Sequence, residues 1–308
     1  MGVVALVAVV GVGSYLLSLA RSDGGVGGSA PHEPLVGPTA APVPADTLVT
    51  ALKDERFSCY DTQPGPPRVR SCYRTESDGT QLTVRVAADD QDAAALVELN
   101  AEPPAGLRST ALPPGDAMTP MKELIPVIGQ ALLGSAAGQI PSLDSGPNQS
   151  VRLSWGIVSF TVHPEAGNAV FTRSDAPTMP RGTDLPKAPS AVSAALAGAG
   201  YVCDASSCVG EGSTYDVKAR LSTDEVSVSA VRYDGKPKVT DAKLRKHYSA
   251  LLRSVVDAKN LPAATQWMQA HLAPPNGFDQ ADVGGLHLAV FRTPAGDGQL
   301  VVRPVLAR

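Results

Sequence analysis

The chain opens with an unbroken apolar run, Val3–Ala20, and its hydrophobic positions become periodic only from Leu48. Leu48 and Leu52 share one face of a short helix predicted over Thr47–Arg56. Phe57–Asp61, Val69–Thr75 and Gln81–Ala87 then read as strands. In the third, Leu82, Val84 and Val86 alternate with Thr83 and Arg85, so one face is buried and one is wet. Ser77-Asp78-Gly79 predicts a hairpin turn before it, because Gly accepts the positive φ such turns require. Leu96–Ala101 predicts a fourth strand, and the Pro-rich stretch Pro103–Gly115 a loop. Thr119 is placed to cap a helix carrying Leu124, Ile128, Leu132 and Leu133, with Pro120 in its first turn. Pro126 is expected to kink that helix or shorten its start. A closing hairpin is predicted over Val151–His163 and Ala169–Arg173.

The second half repeats this order. Ser190–Ala199 predicts a helix, and Tyr201–Asp204, Tyr215–Leu221 and Val226–Tyr233 predict strands. Thr240 caps an amphipathic helix with Leu244, Tyr248, Leu251, Leu252, Val255 and Val256 on one face. Leu48, Leu52, Phe57 and Cys59 recur at identical spacing as Val192, Leu196, Tyr201 and Cys203. Gly156-Ile157 through Ala166-Gly167 likewise aligns without a gap to Gly285-Leu286 through Ala295-Gly296. Two blocks in the same order imply a duplicated module.

Val3–Ala20 carries no charge and would span about 27 Å as a helix, close to the ~30 Å hydrocarbon core. It is longer than an ordinary signal-peptide core, which favours a retained anchor over a cleaved leader, although Ser18 and Ala20 have the spacing of a cleavage site. Residues 21–45 form a linker, Gly-rich at first and then stiffened by Pro31, Pro34, Pro38, Pro42 and Pro44. Arg21 after the span is a vote for a cytoplasmic C-terminus; the cysteines vote the other way.

Composition narrows the picture. Of 308 residues, 43% are hydrophobic and only 5% aromatic, so the cores are aliphatic. The net charge of −4 argues against nucleic acid as a partner. It divides into −5 over residues 45–181 and +2 over 182–308, signs that favour docking of the two halves. Arg outnumbers Lys 17 to 9, a bias that fits a high-GC bacterial genome.

The four cysteines fall as two local pairs, and four cysteines allow three pairings. The repeat selects Cys59 with Cys72 and Cys203 with Cys208, each bridging the first two strands of its own module. Zinc requires paired Cys-x2–4-Cys motifs or nearby His, and neither pair has them. The Cys-x-x-Cys of redox enzymes is also absent. Structural disulfides imply an oxidising compartment, and so place the bulk of the chain outside the cytoplasm.

No catalytic motif is present: no Gly-x-Ser-x-Gly, His-Glu-x-x-His, phosphate loop, dinucleotide fingerprint or Ser-x-x-Lys. No metal or cofactor is expected. The histidines His32, His163, His247, His271 and His287 are scattered, and Trp267 with His271 pairs at helical spacing as packing on a short helix. Asp89, Asp90 and Asp92 lack the spacing of a calcium loop and read as a solvated turn. Lys236, Lys238, Lys243, Arg245, Lys246 and Arg253 cluster around the second module's long helix. This is a candidate contact for an anionic lipid or wall polymer, against the plainer reading of a charged solvent face.

The expected architecture is α+β: a transmembrane signal anchor at 1–20, a linker at 21–45, and two modules at 46–181 and 182–308, each helix–antiparallel sheet–helix–hairpin. In layout and composition the chain resembles membrane-anchored, disulfide-bearing extracytoplasmic proteins of actinobacteria. The expected function is non-catalytic: a single-pass envelope protein that binds or scaffolds another exported protein or an anionic wall component. The alternatives are an envelope hydrolase with a carboxylate site between the modules, and a structural spacer.

Overall fold

The computed structural model describes residues 41–103, 116–143, 148–163, 166–182, 184–210, 212 and 214–306. The expected span Val3–Ala20, most of the linker and all but the start of the Pro103–Gly115 loop lie outside them. The first module begins with α1 (Ala45–Asp54), whose Ala45, Leu48, Val49 and Leu52 are buried on one face. Complete burial of a leucine side chain contributes roughly 2 kcal/mol. Four strands follow, β1 (Ser58–Gln63), β2 (Val69–Thr75), β3 (Gln81–Ala88) and β4 (Ala94–Glu102). Gly79, at φ 88°, closes the β2–β3 hairpin. Next come α2 (Met118–Leu133), a 3-10 turn at Gly134–Gln139, and β5 (Asn148–Arg152), β6 (Ile157–Val162) and β7 (Gly167–Thr172).

The second module contains α3 (Pro189–Gly198), β8 (Val202–Cys203), β9 (Ser207–Gly210), β10 (Tyr215–Leu221) and β11 (Val226–Arg232). Then follow α4 (Asp241–Val255), α5 (Leu261–Ala270), β12 (Phe278–Val283), β13 (Leu286–Arg292) and β14 (Gly298–Pro304). The strands make two seven-stranded sheets, ordered β1-β2-β3-β4-β7-β6-β5 and β8-β9-β10-β11-β14-β13-β12. Every pairing is antiparallel, including the non-local ones, β4 with β7 and β11 with β14.

This corrects the expected α+β module of a small sheet, two helices and a separate hairpin. The closing strands fold back beside the fourth strand, so hairpin and meander are one sheet, and the sheets rather than the helices dominate. Each sheet also has an edge strand that hydrophobic patterning does not reveal. β5 reads Asn-Gln-Ser-Val-Arg and β12 reads Phe-Asp-Gln-Ala-Asp-Val. Polar edges of this kind discourage pairing with other chains, and they also erase the apolar signal of a strand.

The single-pass membrane assignment is corrected as well. Among the described residues no helix is long and apolar enough to cross a membrane. The longest, α2, has 16 residues, about 24 Å at 1.5 Å per residue and short of the ~30 Å core. The described residues therefore give no support to a transmembrane, single-pass cell-membrane protein, and the expected span Val3–Ala20 lies outside them. Two local expectations also change. The residue before α2 is Ala117, without a side-chain cap; Asp116 accepts from the Met118 and Thr119 side of the turn instead. The helix also runs on through Pro126, which sits on its exposed side.

The first repeat block keeps its equivalence in space: Leu48 and Val192, Leu52 and Leu196, Phe57 and Tyr201 are all buried. The second block does not. Val158, Phe160 and Val162 face the first core, while Leu286, Leu288 and Val290 face the second. Those sets differ by an even number of positions, and the gap-free alignment uses an odd one. An odd shift would turn every side chain to the other face.

Each core lies between a sheet and its own helices. The helix-free faces are used to join the modules. β12 lies against β1 and β2, and Val69, Ala87 and Leu96 of the first sheet pack with Leu306 from the end of the second module. Both sheets belong to one compact unit, Gly37–Arg308.

Candidate functional site

The disulfides come first because they frame the seam. Cys59 is bonded to Cys72 and Cys203 to Cys208. Each pair sits directly opposite in its ladder, β1 to β2 and β8 to β9. They are scaffold, and no described cysteine is free.

The residue after Cys72 is Tyr73, which points away from the helices toward β12. Its hydroxyl donates to Asp282 Oδ1 at 2.8 Å, and Thr62 Oγ1 donates to Asp282 Oδ2 at 2.6 Å. His287 Nδ1 donates to Asp282 Oδ1 at 2.9 Å, and its ring lies 5.2 Å from that of Tyr73. The Asp282 side chain is 3% exposed. Burial raises the pKa of its carboxyl, but the bonds and charge of His287 with the bonds of Thr62 and Tyr73 outweigh that, and it is held below the usual carboxylate range. Burial, then the charge of Asp282, push the Tyr73 hydroxyl well above its ordinary value. One carboxylate thus ties three donors, two of them from the other module.

Beside this clamp the modules enclose a cleft of about 770 Å³. The first module supplies Glu55, Arg56, Ser58, Tyr73–Ser77 and Glu123; the second supplies Pro275, Asn276, Phe278 and Asp279. Asn276 Nδ2 donates across the seam to the Thr75 carbonyl at 3.0 Å. Arg74 is fixed by Glu76 at 2.6 Å and by the Glu55 carbonyl at 2.9 Å, and it lies over the Phe57 ring at 5.0 Å. Arg56 leaves α1 in the left-handed region, at φ 65°.

Asp279 is the titratable group of most interest on the wall. Burial raises its pKa, against lowering by the Gln280 N–H and by His271. Behind it His271 donates from Nδ1 to the Trp267 carbonyl at 2.7 Å and stacks on the Trp267 ring at 4.6 Å, with Nε2 3.4 Å from Asp279 Oδ2. The Trp–His pair is therefore the backing of a cleft residue as well as packing on α5. A second cavity, of about 500 Å³ and mostly apolar, has walls from the first module alone.

The basic residues do not converge. Lys243 lies 4.7 Å over the Tyr215 ring and donates to Thr214 Oγ1 at 3.4 Å. Lys238 packs its stem against Gly296. Lys236, Arg245, Lys246 and Arg253 are exposed, along the loop before α4 and its solvent side. Under that helix His247 is buried between Tyr201 (2.6 Å) and Tyr215 (3.2 Å). Burial, then Lys246, hold the His247 pKa down at about 4, and burial pushes Tyr201 up to about 12. The neutral ring has one N–H and one lone pair, so one tyrosine accepts and the other donates. Asp89 binds the Gln91 and Ala93 N–H groups of its own turn. No group of acids and histidines among the described residues is arranged to hold a metal.

No family model matches the chain, and neither a curated protein nor a solved structure does. The cleft must be read from its own residues. Sequence patterning missed Asp282, Tyr73 and Asp279, because each is a single polar or aromatic residue in a strand; Tyr73 and Asp282 gain meaning from each other across the modules, and Asp279 from His271 and the cleft.

Proposed function

We propose that the chain is a non-catalytic binding protein whose two modules clasp a small polar ligand in the seam cleft. What carries this reading is the cleft itself. It has the volume of a ligand site, its walls come from both modules, and charged and hydrogen-bonding groups line it. The duplication supplies the physical reason, since fusing two like modules creates a concavity that neither has alone. Ligand-observed NMR with a polar fragment library and the full chain tests this. Fragments should bind the wild type and be displaced by Ser77→Trp, which fills the cleft from an exposed turn. Absence of binders, or binders indifferent to Ser77→Trp, would refute it.

One observation favours a hydrolytic second reading. Asp279, with its raised pKa, shares the cleft with Glu55, Glu76 and Glu123 of the other module. A carboxyl whose pKa burial has raised, facing other carboxyl groups across a cleft, is an arrangement that acid–base hydrolysis can use. Turnover of chromogenic glycosides or esters that disappears in Asp279→Asn would favour this reading; binding without turnover favours the first.

A further inference from the structure

The large apolar side chains most exposed among the described residues are Val202 (78%), Val209 (51%), Tyr233 (40%) and Val231 (37%). All four belong to one face of the second sheet. Val202 pairs with Val209, and Val209 pairs with Lys218. Val231 pairs with Asp216, two positions before Lys218 and on the same side of β10. The residues between them, Cys208, Val217 and Ala230, point into the helix-covered core. The patch therefore lies on the helix-free face.

That face already has a packing role. At its other side Gln280 and Asp282 of β12 are buried on the same face, with Asp282 bonded into the first sheet. The bare patch continues the surface that joins the modules. The repeat makes the comparison sharper. Tyr73 follows Cys72 as Val209 follows Cys208, in strands of equal place in the two sheets. Tyr73 is buried under β12, and Val209 stands open.

We propose that a second copy of this chain covers this face, through a two-fold contact of β8–β11 with β8–β11. Charge supports a copy over an unrelated partner. Asp216, Lys218 and Arg220 stand in a row on the exposed side of β10, with Tyr233 donating to Asp216 at 2.7 Å. A two-fold axis near β10 sets Lys218 of each copy against Asp216 of the other, so one surface is complementary to itself, and such a contact closes at the dimer. Four strands spaced ~4.8 Å apart make a face only about 20 Å wide. That is the low end for specific interfaces, so the dimer is reversible.

Sedimentation equilibrium of the full chain, from about 1 to 300 µM, tests the proposal. A monomer–dimer equilibrium is expected. Val202→Lys with Val209→Lys should weaken it at least about tenfold; both side chains are exposed, so the melting temperature should hold. Lys218→Glu should weaken it too, and Asp216→Lys with Lys218→Glu should restore it. A monomer throughout, as when residues 1–40 or a different protein cover the face, overturns the proposal. So does a dimer unaffected by the valine and lysine changes.

Discussion

Asp282 accepts two hydrogen bonds from the first module, and its removal has a defined cost. Asp282→Ala leaves the Tyr73 hydroxyl and His287 Nδ1 without this acceptor, while the Thr62 hydroxyl keeps Ser71 Oγ at 2.7 Å. The expected loss is about 2–4 kcal/mol in urea unfolding, because orphaned buried donors forfeit their desolvation energy. Asp282→Asn, which keeps one acceptor oxygen, should lose less. His247 makes a pH prediction. Its folded pKa of about 4 lies below the ordinary 6.5, so between those values the unfolded chain binds more protons than the native one. Stability should be full above about pH 6.5 and fall as pH drops toward 4. His247→Gln, which does not titrate, should flatten that slope in melting temperature against pH. An unchanged slope would show that His247 is not the titrating group.

At the scale of elements, the disulfides act on hairpins at corresponding positions of both sheets. The chain-entropy argument gives about 3 kcal/mol for Cys59–Cys72 and about 2 kcal/mol for the shorter Cys203–Cys208 loop. Serine pairs at each site should lower stability in that order, read by thermal unfolding with and without reductant. Strands with one buried face were legible from sequence: Tyr215–Leu221 alternates strictly in burial, and Leu82, Val84 and Val86 are buried as their alternation with Thr83 and Arg85 implies; Val69–Thr75 was legible as a strand, but not that both its faces are covered. So was α4, with Thr240 capping the Lys243 N–H. β5 and β12 were not, since an edge strand of Asn, Gln, Ser and Asp carries no apolar period. The pairing of β4 with β7 and of β11 with β14 was equally hidden, because contacts so distant in sequence leave no local mark. The site was least legible. Nothing in Phe-Asp-Gln-Ala-Asp-Val says that its first Asp lines a cleft and its second clamps a tyrosine about two hundred residues away.

At the scale of the whole molecule, two sheets of one topology behave as a single body because helix-free faces and one buried carboxylate hold them together. The cleft exists only while that seam is closed, so the binding proposed for it would be linked to module docking. A ligand that binds only the closed form should raise the melting temperature with the logarithm of its free concentration once that exceeds Kd. The same seam should weaken, and the cleft with it, in Asp282→Ala.

The most direct test of the clamped seam is a double-mutant cycle between Tyr73→Phe and Asp282→Ala, read by equilibrium urea unfolding. The two residues belong to different modules and meet through one hydrogen bond of 2.8 Å. The clamp predicts a coupling energy of at least about 1 kcal/mol. Losses that add to within about 0.3–0.5 kcal/mol would contradict it, because residues that do not meet behave independently.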